Sequence, residues 1–423
     1  MSRVRLRVFE HERLTIGQPC QTHDGGETPF EPHHWEALAR YVERTGSTAF
    51  RVGYRSIVVG HHVGYLQVGS LRLEILPKLG QSRNGAWRDL LLHMLSEVTG
   101  VRLALNAPSP LASRHGELYW VLMDRFLTLT EQLVREGLAR SYREVEENGP
   151  RFRGRLLVSK HLRANVAHAE RFHVSYEVWD SGNLPNQILV AAVESLRRQR
   201  LEEDLGHRSE ALAQELQSIE PRKISPADFE RLRLDRRTFR YREALELARL
   251  VLLQQRPDLR WSDGEVSALL FDMNHLFEAY IARQVHCLQR VRVRAQASRL
   301  FWQSNLGGNV NLQPDLVIWT REGVPPLIID TKWKIPNAAR PAEEDLRQLH
   351  AYLETFEAHC GLLLYPHAYP EQVEVMGHFT TGVDRRCGMA YVDLLPGDRP
   401  DAHAVRAQLQ QLLERLSPTS AGH

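Results

Sequence analysis

Gln313-Pro314-Asp315-Leu316 is followed, fifteen residues after Asp315, by Asp330-Thr331-Lys332. The reading of these two segments decides the fold of the C-terminal part. Both sit in apolar runs, Leu312–Trp319 and Leu327–Trp333, whose side chains would alternate between two faces of a strand. Asp315 then shares a face with Val317, and Asp330 shares one with Lys332. A hairpin through Arg321–Val324 would bring Asp315 beside Asp330. Two carboxylates that close repel unless a cation lies between them. Hard oxygen ligands suit Mg2+ or Mn2+. Lys332 would stand next to the pair, where an ammonium can orient a water or offset charge on a phosphorane-like transition state. Thr331 falls on the opposite face and is expected to pack into the sheet, with its backbone carbonyl available to a metal. Taken singly, each dipeptide is ordinary turn or surface-strand chemistry. Their order on successive strands is what points to a site.

Working outward, the pattern predicts a helix over about Glu265–Leu288, a strand Val291–Ala295, the two strands above, a helix Ala342–Ala358 and a strand Gly361–Tyr365. Strands near Glu374–His378 and Met389–Leu394 follow, then a helix Ala402–Leu416. Helix–strand–strand–strand–helix–strand is the order of the PD-(D/E)xK core, the restriction endonuclease-like α/β nuclease fold. Glu278, on the first helix, is a candidate further metal ligand. Gln348 and Tyr352 lie four apart on one helix face and can position DNA or the lysine. Arg290, Arg292 and Arg294 alternate with Val291 and Val293, a candidate phosphate track. The plain alternatives are a solvated helix glutamate, an ordinary helix face and an exposed edge strand.

Upstream, residues 1–85 read as a β-rich domain with one helix near Trp35–Arg44 and glycine-split strands through Leu71–Leu76. Gly69-Ser70 is a hairpin signal. Residues 86–260 read as mainly helical, with Trp87, Leu90, Leu91, Met94, Leu95 and Val98 on one helical face. A basic stretch, Arg151, Arg153, Arg155, Lys160 and Arg163, has no acid between its ends and is a candidate contact for DNA phosphates or an acidic partner. The expected fold is an α+β N-terminal region, a β-rich domain plus a helical domain, followed by the α/β nuclease domain over 261–416 and a tail over 417–423.

Composition bounds the partners. The chain has 423 residues, room for two or three domains. A formal charge of +2 means that nucleic-acid affinity must come from local basic patches. The four cysteines show no C-x-x-C, which argues against a zinc site or disulfide scaffold and fits a reducing cytoplasm. The histidines are scattered, with no H-E-x-x-H. No signal peptide is visible after Met1, and no apolar run approaches the roughly 18 residues of a membrane span.

The chain resembles the McrC family, the nuclease subunits of McrBC-type 5-methylcytosine-dependent restriction systems. The likeness runs through Val63–Val68 and Leu73–Lys78, Arg153-Gly154-Arg155-Leu156, Asp180 and Asn183 through Leu189, and Met273–Tyr280. It is completed by Pro314-Asp315, Asp330-Thr331-Lys332, Gln348 and Tyr352. The resemblance implies a partner, a McrB-like AAA+ ring that hydrolyses GTP and recognises and translocates modified DNA. It implies that this chain docks on the ring through its N-terminal part, stimulates GTP hydrolysis and cuts double-stranded DNA. The chain carries no G-x-x-x-x-G-K-[ST]; Gly80–Gly85 is followed by Ala86, so GTP is expected only through the partner. Two other functions remain open: a non-catalytic activator of an AAA+ ring, and a stand-alone DNA repair nuclease.

Overall fold

The computed structural model describes residues 4–23, 25–78, 86–101, 103, 118–199, 203–254, 266–289, 291–303, 307–320, 324–336, 340–358, 360–367, 377–380 and 386–416. The chain forms two compact units. One gathers Met1–Tyr65, Ser70–Pro108 and Leu270–His423; the other gathers Leu66–Gly69 and Ser109–Leu269. The sequence predicts three consecutive domains, whereas the fold groups the N-terminal sheet with the C-terminal segment. Hydrogen bonds between residues far apart in sequence join them. Met273 N donates to His61 O at 2.9 Å, and Gln284 Nε2 donates to Glu97 at 3.0 Å.

The N-terminal elements are β1 (Val4–Phe9), β2 (Arg13–Thr15), β3 (Pro19–Thr22), β4 (Glu27–Pro29), α1 (Pro32–Thr45), β5 (Phe50–Gly53), β6 (Ser56–Val59), β7 (His62–Val68), β8 (Leu71–Leu76) and α2 (Ala86–Thr99). One sheet runs in the order β7-β8-β1-β3-β4, with β1 and β8 parallel. Leu71–Leu76 is the strand expected, and every residue of it is buried. Along α2 the expected face holds except at its end: Val98 is exposed, and Leu92 is buried instead.

The second unit contains α3 (Leu118–Arg135), β9 (Ser141–Gly149), β10 (Arg155–Leu156), α4 (Val158–Ala164), β11 (Phe172–Asp180), α5 (Leu184–Arg197), α6 (Glu203–Glu215), α7 (Pro226–Arg231), α8 (Arg242–Gln254) and the start of β12 (Val266–Asp272), whose last three residues belong to the first unit. Asn183 caps α5 by accepting from Asn186 N, and Asn186, fully buried, donates to the carbonyls of Ala139 and Ser181. These asparagines fix the turn into the helix. The Arg153-Gly154-Arg155 step has an equally local cause. Gly154 has φ +65, and a Cβ there would press into the Ser175 carbonyl oxygen and lie 2.6 Å from Tyr176 Cβ. Gly154→Ala is expected to destabilise this unit by about 2–4 kcal/mol, from left-handed strain plus overpacking. Urea unfolding of the variant checks this; an unchanged midpoint contradicts it.

The C-terminal segment comprises α9 (Met273–His286), β13 (Arg292–Ala295), β14 (Arg299–Gln303), β15 (Asn309–Leu312), β16 (Leu316–Trp319), β17 (Leu327–Thr331), α10 (Glu343–Phe356), β18 (Cys360–Pro366), β19 (Gly377–Thr380), β20 (Arg386–Val392) and α11 (Ala402–Leu416). Its sheet runs β13-β16-β17-β18-β20-β19. β16 pairs antiparallel with β17, and β17 parallel with β18, so α10 is the crossover between parallel neighbours. Leu349, Tyr352, Leu353 and Phe356 of α10 pack on Val317, Ile328 and Leu363 of the sheet. Gly361 permits the close approach: a Cβ there would fall 2.8 Å from Leu349 Cδ1.

Two expectations change here. The helix expected over Glu265–Leu288 is a strand, β12, and then α9. Asp272 starts the helix by accepting from Asn274 N at 2.9 Å. The strand expected over Leu312–Trp319 breaks at Gln313-Pro314-Asp315, since proline donates no ladder bond. Its first part instead pairs with β14 as a separate two-stranded ribbon. Arg290, most of the connection Arg321–Val324, and the tail 417–423 lie outside the described residues.

Candidate active site

The register of β16 on β17 pairs Leu316 with Ile329 and Val317 with Ile328. Continued by one step, it sets Asp315 across from Asp330. Both carboxylates therefore share the sheet face of Val317 and Ile328, the face that α10 covers. Asp330 is almost fully buried. Asp315 sits just before its strand, and its Oδ2 accepts from Thr331 N at 2.7 Å and from Thr331 Oγ1 at 2.6 Å. Thr331 was expected to pack into the sheet and offer its carbonyl to a metal; its hydroxyl and amide hold Asp315 in place.

Lys332 Nζ lies 2.7 Å from Asp330 Oδ2 and donates to Gln348 Oε1 at 2.9 Å. Gln348 Nε2 in turn donates to the Tyr352 hydroxyl at 2.8 Å. The four-residue spacing on α10 thus produces a relay, Asp330–Lys332–Gln348–Tyr352, that fixes the ammonium. The main chain is also held, with Lys332 N donating to Leu364 O at 2.9 Å.

Burial pushes the Asp330 carboxyl up to about 6; Lys332 opposes the rise and Asp315 adds to it. Burial, and then the charge of Asp315, raise Glu278, while a hydrogen bond from Gln296 lowers it. Burial and the nearby Asp330 charge push the Tyr352 hydroxyl to about 12, so it remains protonated at neutral pH. The site brings the carboxyls of Asp315, Asp330 and Glu278 within range of one another's charge, with the Lys332 ammonium against Asp330.

Glu278 of α9 is near enough to Asp315 for their charges to interact, and its Oε1 accepts from Gln296. Gln296 was not legible as a site residue. It has φ +51, and its N donates to Asp315 O at 2.9 Å, ending the β13 ladder. Among the described residues no three acidic, histidine or cysteine side chains gather closely enough to hold a metal alone. Two mutually repelling carboxylates still fit Mg2+, which keeps several waters and binds through one or two carboxylates plus substrate phosphate.

Arg292 and Arg294 are exposed on β13. They pair with Trp319 and Val317, so they share the face of Asp315 and Asp330. Arg292 also stands over the Trp319 ring, 5.3 Å from its centroid. Arg151, Arg153 and Arg155 are exposed in the second unit, where Arg153 lies over the Tyr176 ring. Lys160 pairs with Glu146.

A cation needs Asp330 ionised, so protons compete with it below about pH 6. Mn2+ affinity, titrated calorimetrically, is expected to weaken about tenfold for each pH unit below that value. An affinity flat from pH 7 to about pH 5 contradicts it. The stability sign is opposite. The folded state of the metal-free protein holds the extra proton between 3.8 and about 6, so Asp330's contribution falls as pH rises through that window.

Among the described residues no helix is long and apolar enough to cross a membrane. No curated protein matches the chain. A chain of the Thermococcus gammatolerans assembly of McrB AAA+ hexamers with bound McrC is 20% identical with TM-score 0.64, over 96% of this chain and 100% of that one. A chain of the Thermococcus gammatolerans McrBC complex is 23% identical with TM-score 0.46, over 67% of this chain and 87% of that one. The first likeness extends over the mixed α/β fold as a whole. The family described as McrBC 5-methylcytosine restriction system component matches residues 57–366, most of the sequence, and the chain belongs to that family.

Proposed function

We propose that the chain is the McrC-type, DNA-cutting subunit of its restriction system, with the C-terminal sheet acting as a PD-(D/E)xK nuclease. The observation that carries the reading is Lys332 set against Asp330 and bonded to Gln348, which bonds Tyr352, with Asp315 near enough for its charge to act on Asp330. Asp315 and Asp330 would hold Mg2+ (or Mn2+), with Glu278 contributing charge from α9. A cation bound there supplies Lewis-acid polarisation of the phosphate and acidifies a water. Thr331 keeps the Asp315 carboxylate oriented. Lys332, fixed between Asp330 and Gln348, presents an ammonium where charge develops on the phosphate. Arg292 and Arg294 would anchor flanking phosphates bidentately.

GTP enters only through the partner, because the chain has no phosphate-binding loop. The partner proposed is a McrB-type AAA+ ring, supported by the family and by the assembly that the similar structure represents. Arg151, Arg153 and Arg155 are proposed contacts for that ring or for DNA. Modified cytosine would be read by the partner.

The test mixes the full chain with a McrB-type GTPase, GTP, Mg2+ and methylated duplex. Faster GTP hydrolysis and cleavage are expected together. Stimulated hydrolysis with intact DNA would make the chain an activator alone, and equal cleavage without the partner would make it a stand-alone nuclease.

A further inference from the structure

The ribbon β14–β15 leaves the sheet immediately before the candidate site; Leu312, its last paired residue, is three residues from Asp315. Its root is tied down. Arg299 donates to Thr355 O at 3.2 Å, lies over the Phe356 ring at 5.1 Å and is 3.9 Å from Glu357. Leu312 packs against the core under α10. Beyond the root the two strands carry exposed apolar side chains. Trp302 is 65% exposed, Val310 55%, Leu300 51% and Phe301 38%. The pairing slips between Leu300 and Trp302, a bulge that adds local twist at Phe301. Trp302 pairs with Val310 and Arg299 with Leu312, so Trp302 and Val310 continue the anchored face outward. Phe301 and Trp302 stack edge to face, 5.3 Å between centroids. An aromatic pair held outward on an anchored ribbon has no folding role within its own unit.

Charge says what covers it. From residue 279 to 314 there is no acid, and the stretch carries five arginines, at 283, 290, 292, 294 and 299. A polyanion fits that balance. A two-stranded ribbon also fits a DNA groove, and exposed apolar side chains beside arginines are the means by which groove binders part base steps. Asn309 and Asn311 add amide donors and acceptors on the ribbon's other exposed strand. Resting on the nuclease reading, we propose that this ribbon is a duplex wedge: Phe301 and Trp302 insert against unstacked bases beside the phosphate to be cut. Stacking of this kind tolerates any sequence, as suits a cutter whose partner does the reading.

The test uses the full chain carrying Asp330→Asn, so that DNA stays intact, and a short duplex with 2-aminopurine at one step. The protein is expected to raise 2-aminopurine fluorescence. Phe301→Ser with Trp302→Ser should abolish the rise and weaken DNA binding at least about tenfold, with unchanged circular dichroism. Trp302→Phe should restore it. Trp302→Ala alone decides the matter if the double variant does not fold. A rise equal in the serine variant, or no rise with the intact ribbon, overturns the proposal. So does a dimer that the double substitution dissociates with fluorescence unchanged, which would make the ribbon an interface between copies. Failure of the nuclease reading shows separately, as fluorescence that depends on the ribbon with no cleavage by the unsubstituted chain and its partner.

Discussion

Lys332→Ala is expected to lower DNA cleavage by the reconstituted complex at least about 100-fold while GTP hydrolysis stays stimulated. Two physical effects add. The ammonium that lies 2.7 Å from Asp330 Oδ2 disappears, and with it the donor to Gln348. Asp330 also loses the charge that opposes its burial, so its carboxyl climbs further above 6 and holds a proton against a cation. Removing one partner of a buried pair costs more than the pair is worth, because the other charge is left stranded. Tyr352→Phe should cost far less: it removes one hydroxyl from the far end of the relay and keeps the buried ring. Single-turnover cleavage separates the cases. Equal rates for Lys332→Ala and the unsubstituted chain contradict the assigned site.

The second large effect is on stability. Glu10 is 3% exposed, and its carboxyl is pushed up to about 7 by burial. It accepts from Trp333 Nε1 at 3.1 Å and from Lys78 N at 2.8 Å. Trp333 follows the site lysine directly and packs on Phe277 of α9, centroids 5.5 Å apart. Glu10→Ala leaves the buried indole N–H without its acceptor and opens a void, a loss of about 2–4 kcal/mol. Glu10→Gln keeps one acceptor and should cost less. The sign of the pH dependence follows from the weakened acidity of the buried carboxyl. The folded state holds the extra proton between 4.5 and about 7, so Glu10's contribution is full below that window and lost as pH rises through it. Urea midpoints across the window should therefore fall less steeply for Glu10→Gln. Parallel slopes would contradict it.

Much of the site was legible because it is local. Asp315 directly precedes β16, Asp330 lies on its antiparallel neighbour β17 across a short connection, and Lys332 follows two residues on. Gln348 and Tyr352 followed from helix spacing. What the sequence hid depends on contacts between distant residues or on backbone geometry. Glu10 and Trp333 are 323 positions apart. Gln296 matters through a left-handed backbone that no spacing signals. Strand β9 is Glu-rich and mostly exposed, so it lacks the alternation that marks a half-buried strand. Val266–Asp272 is a short apolar run that reads equally as helix or strand, and the capping Asp272 decides between them.

The proposed chemistry requires a cation between Asp315 and Asp330. Anomalous diffraction from crystals of the full chain soaked in Mn2+ tests it most directly. One peak bonded to both carboxylates is expected, absent in Asp330→Asn. No peak there at saturating Mn2+, or a peak that survives Asp330→Asn unchanged, would contradict it.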